Sequence, residues 1–412
     1  MINRHIVPEV IEALSDTPVV FVKGARQVGK TTLVKSLAGR QRQLQYFTLD
    51  NAAVLAAAQN DPTGFIRGLE GAVIIDEAQK VPGLFPAIKE AVDADRRPGR
   101  FIVTGSSNIL TSMKIADSLA GRMEVLTLGP LAQRELEGTE GSFIDLLFGQ
   151  WGGRPVLDEQ TREQAYAKVL AGGYPEPVAR ISERRRGAWF DSYVSAIIER
   201  DVRDIANIQD VGAMLRLLKI LASRSASLLN YSELSRSLSL PQSTLKRYIW
   251  ILESLFIIYE LPAWSANLGK RLVKSPKLMF NDTGLSSNLL GFNLKRALNE
   301  PHITGNLLEN FVVSELHKQM GWSDTQAALF HYRESSGKEV DVVLENRDGA
   351  VIGVEVKSAF SVSASDFSGL RTLRESLKER FVRGVVIYLG SDIIPFAENL
   401  HAVPLSMLWC RN

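Results

Sequence analysis

Eight residues near the amino end form the densest chemical pattern in the chain. Gly24-Ala25-Arg26-Gln27-Val28-Gly29-Lys30-Thr31 fits G-x-x-x-x-G-K-[ST] at every fixed position. The spacing has a physical reason. Gly24 and Gly29 let the backbone curl until successive N–H groups face one phosphate. The helix that follows adds its positive end. Lys30 sets an ammonium against the β- and γ-phosphates of ATP, and the Thr31 hydroxyl is a ligand for Mg²⁺. Gln27 and Thr32 belong to the same phosphate-binding stretch.

A second pattern follows. Val73-Ile74-Ile75 is an apolar run ending in Asp76-Glu77. Asp76 can orient Mg²⁺ through its water shell, and Glu77 can polarise the attacking water. Phe101-Ile102-Val103-Thr104-Gly105 is another apolar run, ending in Ser106, Ser107 and Asn108. Any of these three could sense the γ-phosphate; their types do not separate them. Arg122 can bring positive charge to a transition state in its own subunit or a neighbour's.

A third set lies near the carboxyl end. Asp341 is followed fourteen residues later by Glu355-Val356-Lys357, each within an apolar, strand-like run. Alternation puts Glu355 and Lys357 on one face. If the two runs pair, Asp341 lies beside Glu355. Two carboxylates on neighbouring strands can hold Mg²⁺ or Mn²⁺, with a lysine to orient hydroxide or offset charge at phosphorus. Glu309, on a preceding helical stretch, can add a further acidic ligand.

The elements that must position these groups are readable in outline. Ile6, Val10, Ile11 and Leu14 recur at helical spacing, and Pro18 to Val22 suits a buried strand before the loop. Strand–helix alternation through Thr104 predicts a parallel sheet covered on both faces. After about Leu131 the pattern is mainly helical. Tyr231 to Leu240 and Pro241 to Leu255 have helix–turn–helix spacing. In the second, Leu245, Tyr248, Ile249 and Leu252 form the apolar stripe, leaving Gln242, Ser243, Lys246 and Arg247 on a polar side suited to a major groove. Phe256 to Phe280, with Lys270, Arg271, Lys274 and Lys277, reads as a basic wing.

Bulk properties bound the rest. The 412 residues allow two to four domains, and 45% hydrophobic with 23% charged content is ordinary for globular chains. Net charge is only +2, but residues 181–280 hold fifteen Lys and Arg against nine Asp and Glu, a local +6. A single cysteine, Cys410, excludes an internal disulfide. The amino terminus carries Arg4, Glu9 and Glu12, unlike a signal peptide, and no apolar run approaches the roughly 20 residues of a membrane span. The expectation is a cytoplasmic protein without a membrane partner.

Taken together, the motifs resemble the bacterial and archaeal AAA-family ATPases whose carboxyl-terminal domain is uncharacterised and PD-(D/E)xK nuclease-like. The stretches that carry the resemblance are GARQVGKTTL, VIIDEAQKVP, FIVTGSSNIL, LAGRMEVLTLGPL, GGYPEPV, GNLLENFVVSEL, YRESSGKEVDVVLE and VEVKSA. It implies an α/β architecture: a P-loop ATPase domain at 1–135, a helical lid-like segment at 136–210, a winged helix at 211–298 and a restriction-endonuclease-like domain at 299–412. It also implies a functional role for Arg122, and marks Gln79 and Arg200 as group features. The first functional expectation is an ATPase that couples turnover to binding or processing of double-stranded DNA. The alternative is a nucleotide-dependent switch, a toxin–antitoxin or defence component, acting through protein contacts with an inactive nuclease-like fold. A homo-oligomer is compatible with either.

Overall fold

The computed structural model describes residues 2–40, 44–106, 119–149, 160–202, 210–334 and 337–410. The chain divides into two compact units. The first comprises residues 3–130 with 252–256, and the second holds the remainder.

The first unit is built on five parallel strands: β1 (Val19–Lys23), β2 (Leu44–Thr48), β3 (Ala72–Asp76), β4 (Phe101–Gly105) and β5 (Met123–Thr127), in the order β2-β3-β4-β1-β5. The sequence explains who sits where. β1, β3 and β4 are near-continuous apolar runs and occupy the buried centre. β2 and β5 mix polar with apolar residues and close the two edges, half-buried. Helix α1 (Val7–Asp16) precedes β1, and α2 (Lys30–Arg40) follows the loop after it. A third helix, α3 (Leu84–Ala94), buries Leu84, Phe85, Ile88 and Val92 against Phe21, Val73, Ile75, Phe101 and Val103. Phe21 and Phe85 meet edge to face at 6.1 Å. Because every strand runs the same way, Lys23, Asp76 and Gly105 all end at one edge of the sheet, with β4 between β1 and β3.

The second unit begins in helices, including α4 (Arg162–Ala171) and α5 (Glu183–Ala196). Next come α6 (Val211–Ser223), the two-residue strand β6 (Ser227–Leu228), α7 (Tyr231–Leu238), α8 (Gln242–Ser254, of which residues 252–254 count with the first unit), and strands β7 (Ile258–Leu261) and β8 (Lys277–Phe280). The three strands form an antiparallel sheet in the order β6-β8-β7. A short helix, α9 (Leu268–Val273), interrupts the β7–β8 connection.

A long helix, α10 (Pro301–Gln319), leads into a six-stranded mixed sheet. Its strands are β9 (Ala327–Arg333), β10 (Glu339–Asn346), β11 (Val351–Val356), β12 (Phe381–Tyr388), β13 (Ile394–Ala397) and β14 (Leu400–Pro404), ordered β13-β14-β12-β11-β10-β9. Helix α11 (Ser368–Leu377) makes the crossover between parallel β11 and β12. α10 covers one face: Phe311, Val312 and Leu316 share a core with Val342, Leu344, Ile352 and Val354. α11 covers the other: Leu370 and Leu373 pack with Val340, Val343 and Val351. Val340 and Val343 face the same side although three residues apart. The β9–β10 register shifts between them, so Asp341 sits in a bulge. Such bulges re-aim a side chain out of the ladder.

Candidate functional site

The loop after β1 has the conformation its glycines require. Gly24 has φ +155° and Gly29 φ +100°. A Cβ at Gly24 would stand 2.2 Å from the Leu128 carbonyl oxygen, so only glycine permits that approach. Gln27, at φ 61°, is left-handed as well. Lys30 is buried, and its ammonium donates to the carbonyls of Gly24 (3.0 Å) and Ala25 (2.8 Å). Burial lowers its pKa to about 8, with the charges of Glu77 and Asp76 opposing the shift. Arg4 braces the loop from outside the motif, donating to the carbonyls of Val28 and Gly129, each at 2.7 Å.

Asp76 is fully buried and accepts three hydroxyls: Thr31 Oγ1 at 2.8 Å, Tyr46 O–H at 2.8 Å, and Thr104 Oγ1. Burial and the Asp76 carboxylate push the Tyr46 phenol upward, so it remains a donor. The next residue, Glu77, is left-handed at φ 63°, an uncommon conformation for a side chain of this kind. Its N–H donates to Thr104 Oγ1 at 2.9 Å. Its carboxylate accepts Ser106 Oγ on both oxygens (2.9 and 3.0 Å) and the Gln79 amide. The turn at Glu77 therefore aims Asp76 at Thr31 and Glu77 at Ser106 and Gln79. These are the groups a Mg²⁺-bound nucleoside triphosphate needs: loop amides and an ammonium for phosphate, a hydroxyl–carboxylate pair for the metal, and a second carboxylate for water. The residues present fit that ligand.

Of the three hydroxyl and amide candidates after β4, Ser106 touches Glu77; Ser107 and Asn108 fall outside the described residues. Arg122 does not join this group. It precedes β5, whose first residue Met123 is in register with Val19, the first of β1. It therefore stands at the amino end of strands whose carboxyl ends carry the loop, about 16 Å away along five residues. There its guanidinium pairs with Asp93 at 2.5 Å. The Arg200 side chain lies outside the described residues.

In the second unit, Asp341, Glu355 and Lys357 come together. The antiparallel register Val342↔Val354, carried one residue on, sets Asp341 opposite Glu355. Asp341 accepts the Val356 N–H at 2.9 Å, and Lys357 Nζ lies 3.6 Å from Glu355. These three line an open cavity of about 410 Å³ with Lys338, Glu339 and Asp366. Burial, then the Asp341 charge, holds the Glu355 carboxyl well above the usual range. Burial opposes the Lys357 ammonium, but Glu355 and Asp341 outweigh it and raise its pKa.

Glu309, expected as a third metal ligand, is engaged otherwise. Its carboxylate accepts Lys277 Nζ at 2.5 Å, and the same ammonium reaches Asp341 Oδ1 at 3.5 Å. Among the described residues, no three His, Cys, Asp or Glu are grouped to hold a metal ion. The expected set of Glu309, Asp341 and Glu355 is therefore divided by a lysine. Burial and the Asp341 charge raise Glu309 to about 8, against the pull of Lys277. Lys277, expected on a basic wing, is instead buried on β8. Arg271 is drawn inward too, paired with Glu345. Nothing in the flanks of Thr104, Tyr46 or Arg4 marks them in the sequence for the contacts they make here.

The sheet order and the loop define the first unit as that of a P-loop ATPase of the AAA class, and residues 16–137 match the AAA domain family. Residues 162–296 and 304–408 match two domain families of unknown function (DUF8612 and DUF4143). An uncharacterized protein of Mycobacterium tuberculosis is 31% identical over 407 residues, spanning 98% of this chain and 84% of its own. Its Mycobacterium bovis counterpart matches equally. The chain belongs to the family of these proteins. An uncharacterized protein of Haemophilus influenzae is 23% identical over 76% of the chain and 72% of its own length. Among solved structures, a Walker-type ATPase of Pyrococcus abyssi is a distant likeness, with TM-score 0.42 at 16% identity, covering 70% of this chain and 96% of that one. No helix among the described residues is long and apolar enough to cross a membrane.

Proposed function

We propose that this ATPase couples nucleotide turnover to binding of double-stranded DNA. Residues 1–135 are the engine, 136–210 a lid-like segment, 211–298 a winged helix and 299–412 a nuclease-like core. Bound Mg²⁺·ATP supplies the electrophilic phosphorus. Lys30 and the loop amides hold its phosphates, Thr31 and Asp76 hold the metal's shell, and Glu77 orients water and takes its proton. Ser106 and Gln79 fix the Glu77 carboxylate until that moment.

The exposed face of α8 carries the DNA reading. Leu245, Tyr248, Ile249 and Leu252 are buried, whereas Gln242, Ser243, Lys246, Arg247 and Trp250 are exposed. The order helix, short strand, helix, helix, strand, strand, with its three-stranded antiparallel sheet, supports a winged helix. The test is retention of a DNA duplex across a salt series. The double variant Lys246→Ala/Arg247→Ala should bind about tenfold more weakly, and its log–log salt slope should flatten by about 2. Equal affinity and slope would remove the DNA reading. One observation favours the regulatory-switch reading instead: α9 leaves Leu268, Leu272 and Val273 70%, 89% and 82% exposed, an apolar face of the kind that protein contacts cover.

A further inference from the structure

We propose that Lys277 is the resident cation of the carboxyl-terminal carboxylate cluster and that this cluster takes no divalent metal. The inference rests on the nuclease-like reading of residues 299–412, since that reading makes a metal the expected occupant. Lys277 Nζ lies 2.5 Å from Glu309 and 3.5 Å from Asp341, with only 8% of its side chain exposed. Mg²⁺ demands oxygen ligands near 2.1 Å in octahedral array and keeps several waters. An ammonium wedged between two of the three carboxylates denies it those oxygens and repels its charge.

The lysine is held there by construction. β8 is locked to α10 one residue from Glu309. The Asn310 side chain accepts the Phe280 N–H (2.7 Å) and donates to the Phe280 carbonyl (2.9 Å), while Ser225 Oγ donates to the same Asn310 oxygen at 2.6 Å. Asn310, Ser225 and Phe280 are all buried. The β7–β8 connection is tied down as well. Arg271 pairs with Glu345, Lys274 donates to the Arg333 carbonyl, and Ala263 bridges to His331. Moving β8 so as to withdraw Lys277 would break this set together. On the other side, Lys357 already faces Glu355. Each carboxylate of the cluster thus has a lysine or a backbone amide as partner, and a divalent ion would have to displace them.

The experiment titrates Mn²⁺ into nucleotide-free full-length protein, followed by electron paramagnetic resonance of the free ion. Four proteins are compared: the native chain, Asp341→Asn, Lys277→Met, and Lys277→Met/Asp341→Asn. Native protein and Asp341→Asn should bind Mn²⁺ identically. Lys277→Met should gain one site at least tenfold tighter than any at the same carboxylates in the native chain, and the double variant should lose it. A native site that Asp341→Asn abolishes overturns the proposal, whether or not Lys277→Met folds. A folded Lys277→Met that gains nothing overturns it too. Plasmid nicking separates this from the parent reading. A gained metal site without nicking leaves the Lys277 assignment standing and removes cleavage. Nicking by native protein that Glu355→Ala abolishes keeps the nuclease reading and removes the assignment.

Discussion

Thr104 holds two partners at once. Its hydroxyl donates to Asp76 and accepts the Glu77 N–H, so one side chain sets the aim of both acids. Thr104→Val keeps the shape but strands the half-buried Glu77 N–H and leaves the buried Asp76 one donor short, at a cost of about 1–3 kcal/mol. The nucleotide's phosphate contacts come from the loop, which Thr104 does not touch. The expected outcome is therefore split. ATP affinity should change less than about threefold, while kcat falls about tenfold or more. Equilibrium binding with single-turnover hydrolysis measures both, and Glu77→Gln gives the reference for lost water activation. An unchanged kcat would show that Thr104 only fills space. Nothing in its flanks announces this role, because its partners lie 27 and 28 residues away and meet it only when β3 and β4 pair with matched ends.

Among the elements, those that are continuous in sequence were legible. The buried strands β1, β3, β4, β10 and β11 stand where apolar runs predicted them, and α7 and α8 where the helix–turn–helix spacing did. The edge strands β2 and β5 were not, since a half-exposed edge needs no apolar run. β8 misled for the opposite reason. Its Lys277 looks like surface charge until the strand is buried on both sides. The join between β7, β8 and β9 was equally hidden, and it makes a testable element. His331 on β9 is 2% exposed, and its Nε2 lies 3.1 Å from the Ser275 carbonyl. Burial, then the Lys277 charge, lowers its pKa to about 4. The unfolded chain takes this proton near pH 6.5, so between about 6.5 and 4 it binds more protons than the native state. Stability from this residue is complete above that window and lost as the pH falls through it, by about 2–3 kcal/mol. Chemical denaturation at pH 7.5 and 4.5 should show native protein losing that much more than His331→Phe. Equal losses would place the histidine's titration elsewhere.

For the whole molecule, the arrangement of the parallel sheet makes one demand on assembly. Arg122 and the phosphate loop occupy opposite ends of the same strands, about 16 Å apart. An arginine side chain cannot span that distance, so if Arg122 acts in hydrolysis it acts at the loop of another copy. A copy whose own loop is damaged can then still donate its arginine. Lys30→Ala should neither bind nor hydrolyse ATP. Arg122→Ala should bind ATP normally and hydrolyse it at least about tenfold more slowly. Mixed in equal amounts, the two should recover about a quarter of native turnover, because Arg122→Ala loops now meet intact arginines. The recovery should rise with protein concentration, as assembly requires. Arg122→Ala also frees Asp93, an exposed carboxylate whose loss of partner costs little, so impaired folding does not mimic the result. A mixture no more active than the sum of its parts would leave Arg122 as a surface ion pair and return the source of transition-state charge to groups beside the loop.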